Sequence, residues 1–231
     1  MAASRLKGKP LLEINNVPII CHVLNKAKET GLEAIVATED KEIVTAVKQN
    51  GGGKVILTGN HKTGTDRIFE AFKKLKINNV DYILNLQGDE PMIDPKDIIN
   101  LNKLMIKNNS DIGTLASEIK KDTILTNENI VKVITEKKLE NNNFVKALNF
   151  LRKNLKKENS NIYHHIGIYC YKVSVLEKFI NLDQTKNEIK NRLEQLRALD
   201  NNIKINVALA ESSPIGVDTK EDYLALKKIM E

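Results

Sequence analysis

The chain has 231 residues, of which 41% are hydrophobic and 29% are charged, a balance typical of soluble globular proteins. No apolar run is long enough to span a membrane and no secretory leader is recognisable, so we expect a cytoplasmic protein without a membrane partner. Its two cysteines, Cys21 and Cys170, lie far apart and lack the spacing of metal ligands. We expect both to be reduced thiols.

The net charge of +6 raises the question of a nucleic-acid partner. The lysines, however, are spread among glutamates and asparagines, and aromatic residues make up only 4% of the chain. Stacking platforms for single-stranded nucleic acid are therefore not expected, and no nucleic-acid partner is predicted. A positive balance also suits an enzyme whose substrate carries several negative charges.

In the first half, apolar segments alternate between helical and extended periodicity. After a basic, glycine-containing loop, Pro18 opens an amphipathic helix that Gly31 ends. Strands are then predicted at residues 34–37, 55–57, 82–86 and 112–116, with helices between them, the last over residues 95–107. Alternation of this length predicts right-handed βαβ units and a parallel sheet.

The second half of the chain does not continue this alternation of strands and helices. Residues 131–134 and 144–150 predict two antiparallel strands joined by an asparagine-rich loop, and a polar connector follows at residues 153–161. Further elements are a strand at 166–171, helices at 173–180 and 187–199, a strand at 203–209 and a final helix at 220–230. Because an isolated two-stranded ribbon is marginal in water, the hairpin is expected to cover a site or to form a dimer contact.

Two polar segments are candidates for a phosphate and metal site. Gln87, Asp89 and Glu90 directly follow the apolar strand at 82–86, and ligands of open α/β sheets lie beyond the carboxyl ends of the strands. Carboxylates delivered there suit a hard cation, although a polar turn would have the same composition. Arg5 and Lys9 in the first loop could hold phosphate oxygens, or could belong to a frayed basic terminus.

Six short motifs occur in order along the chain: Ser-Arg-Leu-Lys-Gly-Lys-Pro-Leu (4–11), Gly-Thr-Asp-Arg (64–67), Gln-Gly-Asp-Glu-Pro (87–91), His-Ile-Gly-Ile-Tyr (165–169), Leu-Glu-Gln-Leu-Arg (193–197) and Gly-Val-Asp-Thr-Lys-Glu-Asp (216–222). Together they closely resemble the 3-deoxy-manno-octulosonate (Kdo) cytidylyltransferases. The resemblance implies an α/β nucleotide-diphospho-sugar transferase fold, with a Rossmann-like sheet flanked by helices and an antiparallel hairpin subregion. It also implies one domain over residues 1–231, in which residues 128–170 form a hairpin, dimerisation and sugar-site subregion.

The resemblance implies a homodimeric enzyme of lipopolysaccharide biosynthesis that uses Mg²⁺ and converts CTP and Kdo to CMP-Kdo and pyrophosphate. Carried over position by position, it assigns catalysis to Lys9, Arg5 and Asp89, Mg²⁺ ligation to Asp89 and Asp218, nucleotide binding to Ala2, Ala3, Thr63, Gly64, Thr65 and Gln87, and sugar-acid binding to Arg152, His165, Tyr169, Glu194 and Gln195. Four of these residues have ordinary structural alternatives. Asp218 could belong to a turn or cap a helix, His165 could be a core histidine, and Glu194 and Gln195 could simply be solvated.

The chain departs from the family pattern at several positions. Members of the family usually begin with a β-strand and a further arginine ahead of the first loop, so we expect this chain to be N-terminally truncated and weakly active. A serine usual before the sugar-site arginine is Leu151, and a glutamate common upstream of residue 193 is Asn191. Two alternatives therefore stay open: a sister cytidylyltransferase for 8-amino-Kdo or sialic acid, and a catalytically impaired nucleotide-binding relative.

Overall fold

The computed structural model describes residues 6, 8–120, 122–153, 161–214 and 216–231. The chain divides into two compact units. The first unit comprises Met1–Asn78, Leu86–Ile98 and Pro214–Glu231, and the second comprises Asn79–Asn85 and Ile99–Ser213. No helix in the described part of the chain is both long and apolar enough to cross a membrane.

Most of the helices and strands that the sequence predicts are present, with shifts of a few residues at their ends. After a 3-10 turn at Lys9–Leu11, the described elements are, in chain order, β1 (Glu13–Ile14), β2 (Val17–Pro18), α1 (Ile19–Glu29), β3 (Ile35–Thr38), α2 (Lys41–Gln49), β4 (Lys54–Leu57), α3 (Gly64–Leu75), β5 (Tyr82–Asn85), α4 (Pro95–Asn108), β6 (Ile112–Ser117), α5 (Asp122–Thr126), β7 (Lys132–Thr135), β8 (Phe144–Leu151), β9 (Ile162–Lys172), α6 (Val173–Phe179), α7 (Lys186–Asn191), α8 (Gln195–Asp200), β10 (Ile205–Leu209) and α9 (Lys220–Met230).

The first unit is built around α1 and the parallel pair β3–β4, which runs from the partners Ile35 and Lys54 to Thr38 and Leu57. One apolar cluster joins α1 to α2 and β3, and a second joins α1 to α9. The antiparallel pair β1–β2 was not predicted from the sequence. Its two-residue turn consists of Asn15 and Asn16, both with positive φ, which is the backbone of a type I′ hairpin.

The second unit contains a six-stranded sheet with the order β5-β9-β6-β10-β8-β7, and β7 also pairs with β9. The predicted hairpin is present as the antiparallel pair β7–β8. The parallel sheet expected from the alternating elements is only partly present. Strand β10 runs parallel to β6, but β9 lies between β5 and β6 and is antiparallel to both. This β9 comes from the region after the hairpin, and such a distant pairing leaves no mark in local periodicity.

Strand β5, which precedes the motif at residues 87–91, was predicted to be a buried strand. In the described sheet it is an edge strand with β9 as its neighbour, and only Asn85 of its four residues is buried. The pair β3–β4 forms a sheet of its own.

The single helix predicted at residues 187–199 is two helices, α7 and α8. Arg192 adopts a left-handed conformation at φ 53°, which ends α7, and the Leu193 N–H donates to the Glu188 carbonyl. The buried Arg197 guanidinium donates to both oxygens of the buried Glu188 carboxylate, at 2.9 and 2.6 Å, and so ties the two helices together. Without a glycine at residue 192 the sequence carries no signal for this break.

Candidate active site

Lys9, Asp89 and Asp218 converge in the first unit, as the sequence motifs predict. The Lys9 ammonium donates to the Asp89 carboxylate and, at 3.1 Å, to Oδ1 of Asp218. Gly8 has φ 72°, a conformation that favours glycine, and it turns the first loop into the 3-10 helix that starts at Lys9. Residues that are 80 and 209 positions apart in sequence therefore share one cluster, which we call the Lys9 cluster.

The backbone around Asp89 and Asp218 holds their two segments together. The Val217 N–H donates to the Asp89 carbonyl at 2.9 Å, so the chain just before Asp218 is attached to Asp89 itself. Helix α9 is capped by Thr219 and Asp222 in a capping box, and not by Asp218. The helix-cap alternative for the Asp218 side chain is therefore wrong, and its carboxylate instead accepts from Lys9.

The charge of Lys9 is set by its two carboxylate partners. Burial alone would lower the pKa of the Lys9 ammonium, but the Asp89 and Asp218 carboxylates outweigh this effect and raise the pKa above its usual 10.5. Lys9 is thus a cation at neutral pH, held between two acidic side chains. A position flanked by two carboxylates is also one that a hard divalent cation can take.

The turn at residues 63–65 is the beginning of helix α3. The Thr63 hydroxyl accepts from the Asp66 N–H at 3.1 Å and donates to the Asp66 carboxylate at 2.9 Å. Thr63 is thus the helix cap, while Gly64 opens the helix and Thr65 is buried. Because the Thr63 side chain is engaged in this cap, the backbone of the turn is the part that can meet a ligand.

Glu70, further along α3, fixes the loop that leads into this turn. Its carboxylate accepts from the Gly59 N–H at 2.9 Å, contacts the His61 ring and pairs with Lys74 at 2.6 Å. Hydrogen bonds from Lys74, His61 and Gly59 lower the pKa of Glu70 to about 2. Arg67, on the same helix, pairs with Glu39 at 3.2 Å.

Gln87 and Gly88 lie on the segment that leads from β5 to Asp89. Gln87 is half-buried. A side chain at Gly88 would place its Cβ 2.9 Å from Cδ1 of Ile20, so the absence of a side chain lets the segment lie against α1. Predicted residues Ala2, Ala3 and Arg5 lie outside the described residues, and their roles stay predictions.

In the second unit, His165 and Tyr169 project from β9 with ring centroids 5.4 Å apart, and the Phe150 ring meets His165 edge-on at 5.1 Å. Burial, together with smaller contributions from the nearby His164 and Arg152, lowers the pKa of His165 to about 3. His165 is 8% exposed and neutral at pH 7. The structure thus gives this residue the surroundings of a core histidine, and its predicted contact with a sugar stays a prediction.

Arg152 follows β8, and backbone carbonyls hold it in place. Its Nη1 donates to the Asn129 carbonyl at 2.7 Å, while Lys132 donates to the Arg152 carbonyl at 3.2 Å and to the Asn127 carbonyl at 2.8 Å. Lys132 is fully buried, and burial together with the Arg152 charge lowers its pKa. Lys132 lies in none of the six motifs, and its one signal in the sequence is that it is a lysine inside an apolar strand.

Glu194 and Gln195 stand at the start of α8. The Glu194 carboxylate lies 3.8 Å from the Arg197 guanidinium, and Gln195 is the first residue of the helix. Both are half-buried, so they are not the fully solvated pair that the structural alternative assumes. Whether they share a sugar site with Arg152 and His165 stays a prediction.

Comparison with known proteins places the chain in a family. A family model described as cytidylyltransferase matches residues 1–205. The 3-deoxy-manno-octulosonate cytidylyltransferases of Agrobacterium fabrum and Rhodopseudomonas palustris are 40% and 41% identical over 232 residues, covering 100% of this chain and 92% and 94% of those proteins.

Solved structures agree with this assignment. CMP:2-keto-3-deoxy-manno-octonic acid synthetase, solved in complex with CTP, matches with a TM-score of 0.87 and 33% identity over 99% of this chain and 93% of the other. An apo UDP-glucose pyrophosphorylase matches with a TM-score of 0.69 at 15% identity, over 98% of this chain and 93% of the other, and that likeness shows the fold alone. The nucleotide-diphospho-sugar transferase fold predicted from the motifs is confirmed. The chain belongs to the 3-deoxy-manno-octulosonate cytidylyltransferase family.

Proposed function

We propose that this protein transfers the cytidylyl group of CTP to Kdo, giving CMP-Kdo and pyrophosphate for lipopolysaccharide biosynthesis. Its relatives, named for that activity, match over the whole chain, and a similar solved structure was determined with CTP. The observation in this chain that carries the proposal is the Lys9 cluster, in which three motifs far apart in sequence bring one ammonium and two carboxylates together. The relatives are named for 3-deoxy-manno-octulosonate, which favours Kdo over sialic acid as the acceptor.

The reaction is an in-line displacement at phosphorus. A sugar hydroxyl oxygen forms a bond to the α-phosphorus of CTP while the bond from that phosphorus to the bridging oxygen breaks. Pyrophosphate leaves with the electron pair, and the hydroxyl loses its proton. Chemistry of this kind depends on positioning and on neutralising phosphate charge, and it needs no covalent nucleophile from the protein.

The acidic residues of the Lys9 cluster fit a divalent cation. No group of three His, Cys, Asp or Glu side chains that could hold a metal occurs among the residues that the structure describes. Two carboxylates with water and phosphate oxygens are, however, a usual environment for Mg²⁺ in nucleotide sites. Asp89 and Asp218 would hold the ion. The chemistry that Mg²⁺ held by these carboxylates would supply is polarisation of the α-phosphate and easier ionisation of the attacking hydroxyl.

Lys9 is the cation of this cluster and is proposed to contact the phosphates. When a ligand takes the place between the two carboxylates, the Lys9 ammonium is released toward phosphate oxygens, where it neutralises developing charge. Arg5 is proposed to do the same with its planar fork of N–H groups. Gln87, the backbone at residues 63–65, and Ala2 and Ala3 are proposed to contact the cytosine.

Kdo is proposed to bind to residues of the second unit. Arg152 is suited to the carboxylate of the sugar acid, since a guanidinium can donate two parallel hydrogen bonds to it. His165, Tyr169, Glu194 and Gln195 offer neutral and acidic groups for the hydroxyls. The homodimer, the role of residues 128–170 in forming it, and the cytoplasmic location stay predictions.

The activity is tested by pyrophosphate release from CTP with Mg²⁺, with Kdo, 8-amino-Kdo, sialic acid or no sugar acid as acceptor. We expect release with Kdo, none without an acceptor, and loss of release when a chelator removes the metal. Preferred turnover of 8-amino-Kdo or sialic acid would reassign the substrate. Binding of CTP without turnover of any acceptor would contradict the enzyme assignment and support the impaired relative.

A further inference from the structure

Strand β9 contains a bulge where it passes β6, and Thr114 lies beside it. Thr114 is opposite Tyr169, but the next residue of β6, Leu115, is opposite Ile166, so the register shifts between them. Gly167 and Ile168 are the two residues of β9 left between these partners, and the registers of the described strands give them no Cα partner. Such bulges re-aim neighbouring side chains and are common next to active sites.

The Thr114 hydroxyl contacts three groups around this bulge. It is fully buried and lies 2.7 Å from the Ile168 carbonyl oxygen, 3.3 Å from the Ile166 carbonyl oxygen and 2.9 Å from Nε2 of His165. A threonine hydroxyl has one proton to donate and two lone pairs to accept with. The three contacts therefore allow only certain arrangements of protons.

The shortest of these contacts decides where the hydroxyl proton goes. Two oxygens 2.7 Å apart without a proton between them would repel each other, and the Ile168 carbonyl has no proton to give. The Thr114 hydroxyl therefore donates to Ile168. The 2.9 Å contact with the ring must then be an N–H group of His165 donating from Nε2 to the Thr114 oxygen.

One tautomer of His165 follows from this arrangement. Its ring is neutral because burial lowers the pKa of His165 to about 3. With one proton, on Nε2, the ring has a lone pair on Nδ1 that can accept a hydrogen bond. Within the described residues no hydrogen bond to Nδ1 is present, and the Phe150 and Tyr169 rings fix the orientation of the imidazole. His165 is thus held as an acceptor at Nδ1.

We propose that Thr114 is a positioning residue that sets His165 as a hydrogen-bond acceptor, so that His165 selects a hydroxyl of the sugar and not its carboxylate. This inference rests on the proposed function, because it assumes that the sugar acid binds at His165. An anion at Nδ1 would face a lone pair and be repelled. A hydroxyl would donate to it, and an analogue without that hydroxyl would leave the buried acceptor unpaired.

The first test needs no substrate. The protonated nitrogen of His165 is identified by ¹⁵N–¹H NMR of protein labelled at histidine, with His165→Gln to assign the signals. We expect a proton on Nε2 in the wild type and in Thr114→Ser, which keeps the hydroxyl, and a mixture of tautomers in Thr114→Val. Thr135→Val is the matched control, since Thr135 is also buried in a strand and donates to the Lys137 carbonyl at 2.7 Å. It should leave the tautomer unchanged.

The second test is kinetic. Thr114→Val should raise the KM for Kdo about tenfold, the usual weight of one hydrogen bond, with little change in the KM for CTP, and Thr114→Ser should restore it. Kdo analogues that each lack one hydroxyl can be compared with Kdo as substrates. The wild type should discriminate against one of these analogues, and this discrimination should be lost in Thr114→Val.

Three results would overturn the proposal: a proton on Nδ1 in the wild type, equal effects of Thr114→Val on both substrates, or no analogue whose discrimination changes. Should NMR show the predicted tautomer while no sugar acid is turned over, the tautomer would stand and the proposed function would fail.

Discussion

Ionisable side chains buried in the two units have pKa values that are shifted in opposite directions. In the first unit Lys9 keeps its charge, and the carboxylates of Asp89 and Asp218 raise its pKa. In the second unit His165 and Lys132 lie among apolar strands, and burial lowers the pKa of both. A paired charge suits the binding of metal and phosphate, whereas a neutral base suits the recognition of hydroxyls. The difference fits the proposal that the first unit binds metal and phosphate and the second unit binds the sugar acid.

Removing one carboxylate of the Lys9 cluster should have the largest effect on turnover. Asp89→Asn keeps the shape of the side chain but loses a charged ligand of the proposed Mg²⁺ site, which is worth several kcal/mol in the transition state. We expect kcat to fall about a thousandfold, measured by pyrophosphate release at saturating CTP and Kdo. Asp183→Asn, an exposed position with the same change of charge, is the control. Activity of Asp89→Asn within a few-fold of the wild type would refute its role.

Removing the cation should cost less and should separate two roles of Lys9. Lys9→Met should lower kcat about a hundredfold, since one donor to the developing phosphate charge is lost. In the absence of CTP, however, the same variant should bind Mn²⁺ more tightly than the wild type, because the ammonium no longer competes for Asp89 and Asp218. Calorimetric titration measures this affinity, and exposed Lys103→Met is the control. Weaker Mn²⁺ binding in Lys9→Met would mean that the lysine organises the carboxylates instead of competing with a metal.

The buried His165 is neutral at pH 7, and we call it the neutral centre. It should make the free energy of unfolding depend on pH in a defined window. His165 has a folded-state pKa of about 3 and an unfolded value near 6.5, so below pH 6.5 the unfolded chain binds a proton that the native state excludes. Stability should fall as the pH falls from 6.5 toward 3. Between pH 6.5 and 5 the loss should be about 1.6 kcal/mol, or roughly sixteenfold in the folding equilibrium.

Urea unfolding at pH 6.5 and pH 5 measures this loss. His165→Gln should show a shallower dependence on pH, even though its stability at pH 7 is lower. The pKa of His164 is also lowered by burial and should contribute in the same direction. Glu70 and Glu188, whose pKa values are lowered from 4.5, act only below this window. Equal pH dependence in the wild type and in His165→Gln would contradict the neutral assignment.

The sequence predicted the first unit and its cluster better than it predicted the neutral centre. Periodicity, with Pro18 and Gly31 as end signals, placed α1 within a residue or two, and motifs placed Lys9, Asp89 and Asp218 in one site. The antiparallel insertion of β9 and the helix break at Arg192 were missed, because non-local pairing and a left-handed arginine have no local signature.

Side-chain partners in the second unit could not be predicted either. Thr114 and His165 lie 51 residues apart in sequence, and neither segment contains a pattern that predicts their hydrogen bond. Lys132 sits in an apolar strand, where lysine is rare, and its acceptors are backbone carbonyls that any residue would supply. Motifs identify the charged residues of a site. The groups that orient those residues can be identified only when the register of the strands is known.

The smallest effect is expected at Arg152, a charged residue next to the neutral centre. Arg152→Ala should raise the KM for Kdo about tenfold and leave the KM for CTP unchanged, because a charge-assisted hydrogen bond to a carboxylate is lost. Exposed Arg192→Ala is the matched control. The Arg152 charge also lowers the pKa values of His165 and Lys132, so both should rise in the variant, and NMR titration can follow His165. An effect on CTP alone would move Arg152 to the nucleotide, and an unchanged His165 pKa would mean that burial by itself keeps this centre neutral.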